Sequence, residues 1–449
     1  MVSADNLNLD VLELIFAHLD QHDLFHLSLV SSSFFAAATP LLYRSVEYGL
    51  RQVLRPALRR TSAFDTISLH PALAGHIRRI RIALPLPSPE QIQSCRAVLA
   101  LRAGTGLESF VCTPTEVMIF VDVLASLSSV RYLRANVQML KEEEQPLLLQ
   151  VRGLRSLTLE FAPWKLIEVL PKWAADTLGH SLENLTFYSC FGLTVDILRT
   201  TVTRLPNLTG LHISTCNGFD FLDVFRVIPH IPSLVTLSFS IWNLTRTQGN
   251  VHPFHLPNLK ELVVDLPKLP NPFPLKSFLS TFTLFAAAPL TSLAICGGSH
   301  VIPELPLESY EFLVNQHAET LHRLVLVKVH LPVLAVRSIC EECKRLEVLG
   351  VPVPSSADLP AFIQALSRSD TLHTLVHVPG SSSSKQFAHP IDRTNVTRIM
   401  TSTRTLRRVE SENHIWLGSF TADLKFEVKS EKRRGSRFSG KWYMPPETL

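Results

Sequence analysis

Charge is scarce in this 449-residue chain: Asp, Glu, Lys and Arg make up only 18% of it, while apolar side chains make up 46%. Disordered chains show the opposite balance, so that class is excluded and most of the polypeptide must fold and pack. The formal net charge is only +4, and the basic residues are spread rather than gathered into one stripe. Neutralising a phosphate backbone takes such a stripe, so nucleic acid is not an expected partner. No uncharged apolar run reaches the ~20 residues a membrane-spanning helix needs. The first twenty residues carry Asp5, Asp10, Glu13 and Asp20 in place of a basic leader, which predicts no membrane and a cytoplasmic or nuclear location. The seven cysteines (Cys95, Cys112, Cys190, Cys216, Cys296, Cys340 and Cys343) are odd in number and scattered, as suits a reducing compartment. The sequons at Asn184, Asn207, Asn243 and Asn395 are then read as chance matches.

Motifs for catalysis are missing as well. There is no G-x-G-x-x-G or G-x-x-x-x-G-K loop to hold phosphates, and no G-x-S-x-G or H-E-x-x-H. Cys340 and Cys343 form a C-x-x-C without a second ligand pair nearby, so core packing rather than zinc is expected of them. No catalytic residue, cofactor or metal is expected, and the chain is read as a non-enzyme.

What is present begins at Leu7. Leu12, Ile15, Phe16 and Leu19 recur at the offsets of one helical face, which predicts an amphipathic helix over 10–19. Asp23 stands where a cap belongs, ahead of Leu24, Leu27, Val30 and Phe34 at similar offsets; Pro40 is expected to stop that second helix, and Leu41, Leu42, Tyr43 and Val46 to open a third element. Two short helices cannot hide so many apolar side chains against each other. About six of them at a contact, each contributing roughly 1.5–3 kcal/mol, exceed the several kcal/mol lost on association. A second polypeptide is therefore the expected cover.

The segment from 7 to 47 resembles the F-box, in its leucine opening, its DVLELIFAHL first helix, its DLFHLSLVSSSF second helix and its PLLYRSVE exit. The resemblance implies docking on a Skp-type adaptor, and through it on a cullin-RING ubiquitin ligase. By position it assigns adaptor contact to Leu7, Leu12, Ile15, Phe16, Leu24, Leu27, Val30 and Phe34. The family's frequent Leu-Pro opening is Leu7-Asn8 here; Asn8 lacks the proline ring but is of a type that caps helices. That departure motivates the alternative of an adaptor-independent interaction scaffold.

Beyond residue 50 the signal is self-similarity. L-x-x-L-x-L-x-x-C stands at Leu182, Leu185, Phe187, Cys190, and again at Leu208, Leu211, Ile213, Cys216. Relaxed to an apolar triplet at offsets 0, 3 and 5, it starts at Ile77, Leu107, Val130, Leu154, Leu182, Leu208, Leu234, Leu259, Leu290, Leu321, Leu346, Leu372 and Leu406, with His377 and Ser411 as polar third members. The average spacing of about 27 residues is that of leucine-rich repeats. Helix-compatible stretches at 194–205, 221–228 and 335–346 lie between triplets. Each unit thus reads as strand then helix. Strands about 4.8 Å apart and helices about 10 Å apart stack into a curve, strands inside. The expected class is α/β: an F-box helical hairpin at 1–48, a curved leucine-rich-repeat solenoid at 49–424 and a basic tail at 425–449. A doubly wound α/β enzyme also alternates strands and helices, but predicts the Gly-rich turns missing here. The stretch HPALAGHIRRIRI at 70–82 looks like the entry to the repeats in fungal-type F-box proteins.

Residues alternating with the triplet leucines are expected on the free strand face: Glu160, Thr186, Tyr188, His212, Ser214, Ser238, Ser240, Val263, Asp265, Val325 and Val327. Charge is sparse in that set, which suits an unknown target protein better than RNA. Tyr188, His212, Ser214, Ser238 and Asp265 are the expected target contacts. The inserts at 242–258, 266–277 and 379–390 are candidate specificity loops. The tail around Lys432, Arg433, Arg434 and Ser436 is read as a solvated extension, with Trp442 and Tyr443 as candidates to cover the last repeat.

Overall fold

The computed structural model describes residues 8–49, 62–86, 88–101, 106–216, 218–241, 254–267, 275–298, 306–329, 331–354, 357–378, 391–411, 414–420 and 426–432. Of the three inserts, 379–390 lies outside these residues and the other two are described only at their ends.

Three helices open the chain, α1 (Leu9–Phe16), α2 (Gln21–Leu27) and α3 (Ser32–Leu42). This corrects the two-helix expectation. Asp20, not Asp23, caps α2: its carboxylate accepts the N–H groups of His22 at 2.8 Å and Asp23 at 3.1 Å. The chain then breaks, because Ser31 offers a hydroxyl that accepts the Phe34 N–H at 3.3 Å and starts a new helix in place of the next turn. Pro40 does not end a helix but lies inside α3, and Leu41 and Leu42 complete that helix. Asn8 holds the cap position of α1, yet its side chain makes no capping hydrogen bond.

The chain forms two units, residues 1–208 with 216–218, and residues 209–215 with 219–449. In the first, β1 (Ser45–Tyr48), β2 (Arg79–Ile82), β3 (Ser109–Cys112), β4 (Tyr132–Asn136), β5 (Ser156–Glu160) and β6 (Asn184–Tyr188) pair in parallel and in chain order. In the second, β7 (Gly210–Ser214), β8 (Thr236–Ser240), β9 (Glu261–Leu266), β10 (Ser292–Gly297), β11 (Arg323–Val327), β12 (Val348–Val351), β13 (Thr374–His377) and β14 (Arg408–Glu410) do the same. An antiparallel pair, β15 (His414–Phe420) and β16 (Phe426–Lys432), follows β14.

Each of the thirteen triplets leads into a strand from β2 to β14, its first member standing just before the strand, and all of its members are buried, His377 and Ser411 included. Helices lie between strands where the sequence allows them: Val195–Val202 capped by Thr194, Phe221–Val227 closed by a reciprocal Asp220–Asp223 capping box, and Val333–Glu342. A recurring backbone device sets the register. At the entry to a strand, two successive N–H groups donate to one carbonyl of the preceding repeat, as Arg155 and Ser156 do to Arg131 at 2.7 and 2.9 Å, and Glu347 and Val348 to His322 at 2.8 and 3.0 Å. One carbonyl has two lone pairs, so both donors are satisfied at a single point. Strand entries are thereby held in step, and the leucines stack on leucines.

The structure corrects the tail boundary: Phe426–Lys432 forms β16. It pairs with β15, with Val428 buried opposite Gly418 and Phe426 edge-on to Phe420 at 5.1 Å. Arg433, Arg434, Ser436, Trp442 and Tyr443 lie outside the described residues.

Candidate partner-binding surfaces

Leu12, Phe16 and Leu24 of the opening helices pack with Ala37 and Ala38 of α3 into a small core, onto which Leu19, Leu27, Phe34, Leu41 and Leu42 close. The rings of Phe16 and Phe34 meet edge to face at 5.2 Å. The apolar stripe legible in the sequence is therefore largely internal to this three-helix unit. Of the expected contact residues, Ile15 and Val30 are exposed, Leu27 and Phe34 are half-buried, and Leu7 lies outside the described residues. The correction has a simple cause: a third helix supplies the cover that a hairpin lacks.

A second apolar set remains uncovered. Leu9, Val11, Leu14 and Ile15 on α1, Phe25 on α2, Leu29 and Val30 after it, and Phe35 on α3 are each 40–70% exposed. Eight of the fifteen exposed large apolar side chains among the described residues thus fall between residues 9 and 35. Scattered exposed leucines are ordinary, but this density makes the three helices a candidate interaction surface.

On the strands of the second unit the expected target contacts turn inward on one another. His212, Ser214 and Ser238 are buried; His212 Nδ1 lies 2.8 Å from the Ser238 hydroxyl, and its Nε2 3.4 Å from that of Thr236. The Ser240 hydroxyl accepts the Thr215 N–H at 3.1 Å and donates to Asp265 at 3.3 Å. Burial pushes the His212 imidazole down to about 4, so it is neutral at pH 7, and pushes the Asp265 carboxyl up to about 6 against the opposing Ser240 bond and Lys328 charge. Strands about 4.8 Å apart place these short polar groups within reach of each other, and they satisfy one another. The neighbouring strand face is apolar: Ala294, Val325 and Val376 are buried there with Val378, and Val263, Val327 and Val348 close on them.

The first unit carries more charge on its strands than expected. Glu47 faces Arg81 at 3.7 Å, and buried Glu160 receives the Arg134 guanidinium at 2.7 Å. Arg79, Arg81 and Arg134 alternate with the members of the triplets that start at Ile77 and Val130. Beyond β5 and β6 stands an aromatic group. Tyr188 is half-buried and meets Phe161 edge-on at 5.8 Å, while Trp164 and Phe191 are 52% and 45% exposed. Gly192 permits this packing, since at φ +75° a Cβ there would come within 2.7 Å of the Trp164 Cβ. Only Tyr188 was expected; the others sit just past the strand ends, where the repeat pattern stops being informative.

The cysteines hold no such surface. Cys190, Cys216, Cys340 and Cys343 are all buried, and burial pushes the Cys340 and Cys343 thiols up to about 12. Among the described residues no helix is long and apolar enough to cross a membrane.

Residues 5–41 match the family model of the F-box domain. This chain carries an F-box. Its eight exposed apolar side chains are thus the surface of the F-box itself, and the repeats begin directly after it with β1. A chain of the Rad7 and Elc1 complex in yeast is similar at TM-score 0.45 and 14% identity, over 87% of this chain and 94% of that one. A chain of the Toll and Spatzle complex from Drosophila is similar at TM-score 0.31 and 16% identity, over 84% and 44%. No curated protein matches this sequence.

Proposed function

We propose that this chain is the substrate-recognition subunit of a Skp-cullin-F-box type ubiquitin ligase, with the F-box held by a Skp-type adaptor and the repeats holding a target protein. The observation that carries the reading is the F-box itself with its uncovered apolar side chains. Covering eight half-exposed side chains at about 1 kcal/mol each offsets the cost of association. The adaptor face is then Leu9, Val11, Leu14, Ile15, Phe25, Leu29, Val30 and Phe35, whereas Leu12, Phe16 and Leu24 shape it from beneath. The chain's contribution is positional: it raises the concentration of target beside a ubiquitin-charged enzyme, and the chemistry belongs to partners.

The target is assigned to the aromatic group Phe161, Trp164, Tyr188 and Phe191, because large aromatic side chains dominate binding energy at protein interfaces. The buried His212, Ser214 and Ser238 support the strand face from within. The test is capture of the full chain by a purified Skp-type adaptor. Replacing Ile15 and Val30 together with Asp should weaken capture at least tenfold while the far-ultraviolet circular dichroism stays that of the wild type. Undiminished capture by that double variant defeats the adaptor assignment and leaves the adaptor-independent scaffold.

A further inference from the structure

His22 and His26 stand four residues apart on α2, and that spacing places them one above the other on one helical face. Their Nε2 atoms are 3.3 Å apart and their ring centroids 4.4 Å apart. Both are exposed, His22 with 70% of its side-chain surface open, so a hydrated ion can reach them. A zinc–imidazole bond is about 2.1 Å long, and at that length a 3.3 Å separation subtends about 104° at the metal, close to the tetrahedral angle. On the other side of the His22 ring, Nδ1 lies 3.6 Å from the Asp23 carboxylate. A carboxylate that near favours the tautomer with its proton on Nδ1, which leaves Nε2 open to the metal.

We infer that His22 and His26 form a bidentate site for a divalent transition-metal ion such as Zn²⁺, with solvent or a partner's group completing the coordination. Imidazole nitrogens favour zinc, nickel and copper over magnesium and calcium. Asp20, His22 and Asp23 form a competing, oxygen-rich arrangement, with ligand atoms within 4.8 Å of one another, but it leaves out His26. The histidine pair ties the first turn of a seven-residue helix to its last. So short a helix is marginal alone, and an ion that binds only its folded form stabilises it.

The experiment is calorimetric titration of the metal-stripped full chain with Zn²⁺, comparing wild type with His22→Gln, His26→Gln and Asp23→Asn. Wild type should bind one more equivalent than either histidine variant. Asp23→Asn should keep that equivalent at an affinity about tenfold weaker. Far-ultraviolet circular dichroism of each metal-free variant should match wild type, which separates lost ligation from lost folding. If His26→Gln binds as many equivalents as wild type, the pair is not the site, and loss in His22→Gln alone moves the ion to the Asp20 and Asp23 side. A histidine-dependent equivalent that Mg²⁺ fills as readily as Zn²⁺ also overturns the proposal.

Discussion

His212, His317 and His377 are all in the second unit, and burial lowers each from 6.5 to about 4. A histidine held neutral when folded and free to charge when unfolded stabilises the fold above its unfolded value, and that stability is lost as pH falls toward 4. Asp265 acts in the opposite sense: its carboxyl is raised from 3.8 to about 6, so its contribution is largest below 3.8 and is lost as pH rises through 6. Three groups outweigh one, and the second unit should weaken between pH 6.5 and 4.5. His212→Asn should remove about 1–2 kcal/mol of the difference in unfolding free energy between pH 7 and pH 5. Urea midpoints of both chains at the two pH values measure this, and an unchanged difference would show that His212 stays solvated. The same residues show why the strand face was misjudged from sequence. A His or Ser alternating with leucines looks available, and only the neighbouring strand's Thr236, Ser238 and Ser240 reveal that it is already satisfied.

At the scale of elements, the repeats were legible because a buried strand must present leucine-like side chains at fixed offsets, and thirteen such triplets became β2 to β14. The parts that escaped are less regular. β1 carries its triplet as Tyr43, Val46 and Tyr48, with tyrosines in two of the three positions, and β15 and β16 are an antiparallel pair without the repeat's spacing. The third helix of the F-box was hidden because one serine hydroxyl, at Ser31, outcompetes helix continuation, a local choice that hydrophobic offsets do not report. Strand ends carry a further regularity: Phe161, Ser189, Thr215 and Lys328, each following a strand, all adopt φ between 51° and 55°. That conformation costs a branched side chain about 1–2 kcal/mol and asparagine less. Thr215→Asn should therefore raise the unfolding free energy of the chain by about 0.5–1 kcal/mol, read by chemical denaturation. In the opposite direction, a Cβ on Gly350 would stand 2.6 Å from Val325 Cγ1 in the apolar strand face. Gly350→Ala should cost about 1–3 kcal/mol, and a neutral result would mean that β11 and β12 yield more than their packing implies.

For the whole molecule, two surfaces on different elements imply two separable losses. Trp164→Ala combined with Tyr188→Ala should leave adaptor capture unchanged and abolish co-purification of ubiquitin-modified target with the full chain, whereas the Ile15 and Val30 double substitution should do the converse. Coincident loss of both by either variant would tie the two surfaces to one fold and remove the division of labour. Leu12→Ala should behave differently again, unfolding the F-box core at a cost of about 2–5 kcal/mol, seen as a lower first transition on heating.

The last hairpin has one more effect. Eight parallel strands end at β14 with open amide and carbonyl groups, the kind of margin on which another chain's strand can add. β15 occupies that margin with a strand of reversed direction, and β16 beyond it carries Glu427, Lys429, Glu431 and Lys432, all exposed. A second copy arriving there meets charge of both signs and the wrong polarity for continuing the stack. Mixed charge on an outermost strand is a device by which sheets oppose edge-to-edge aggregation.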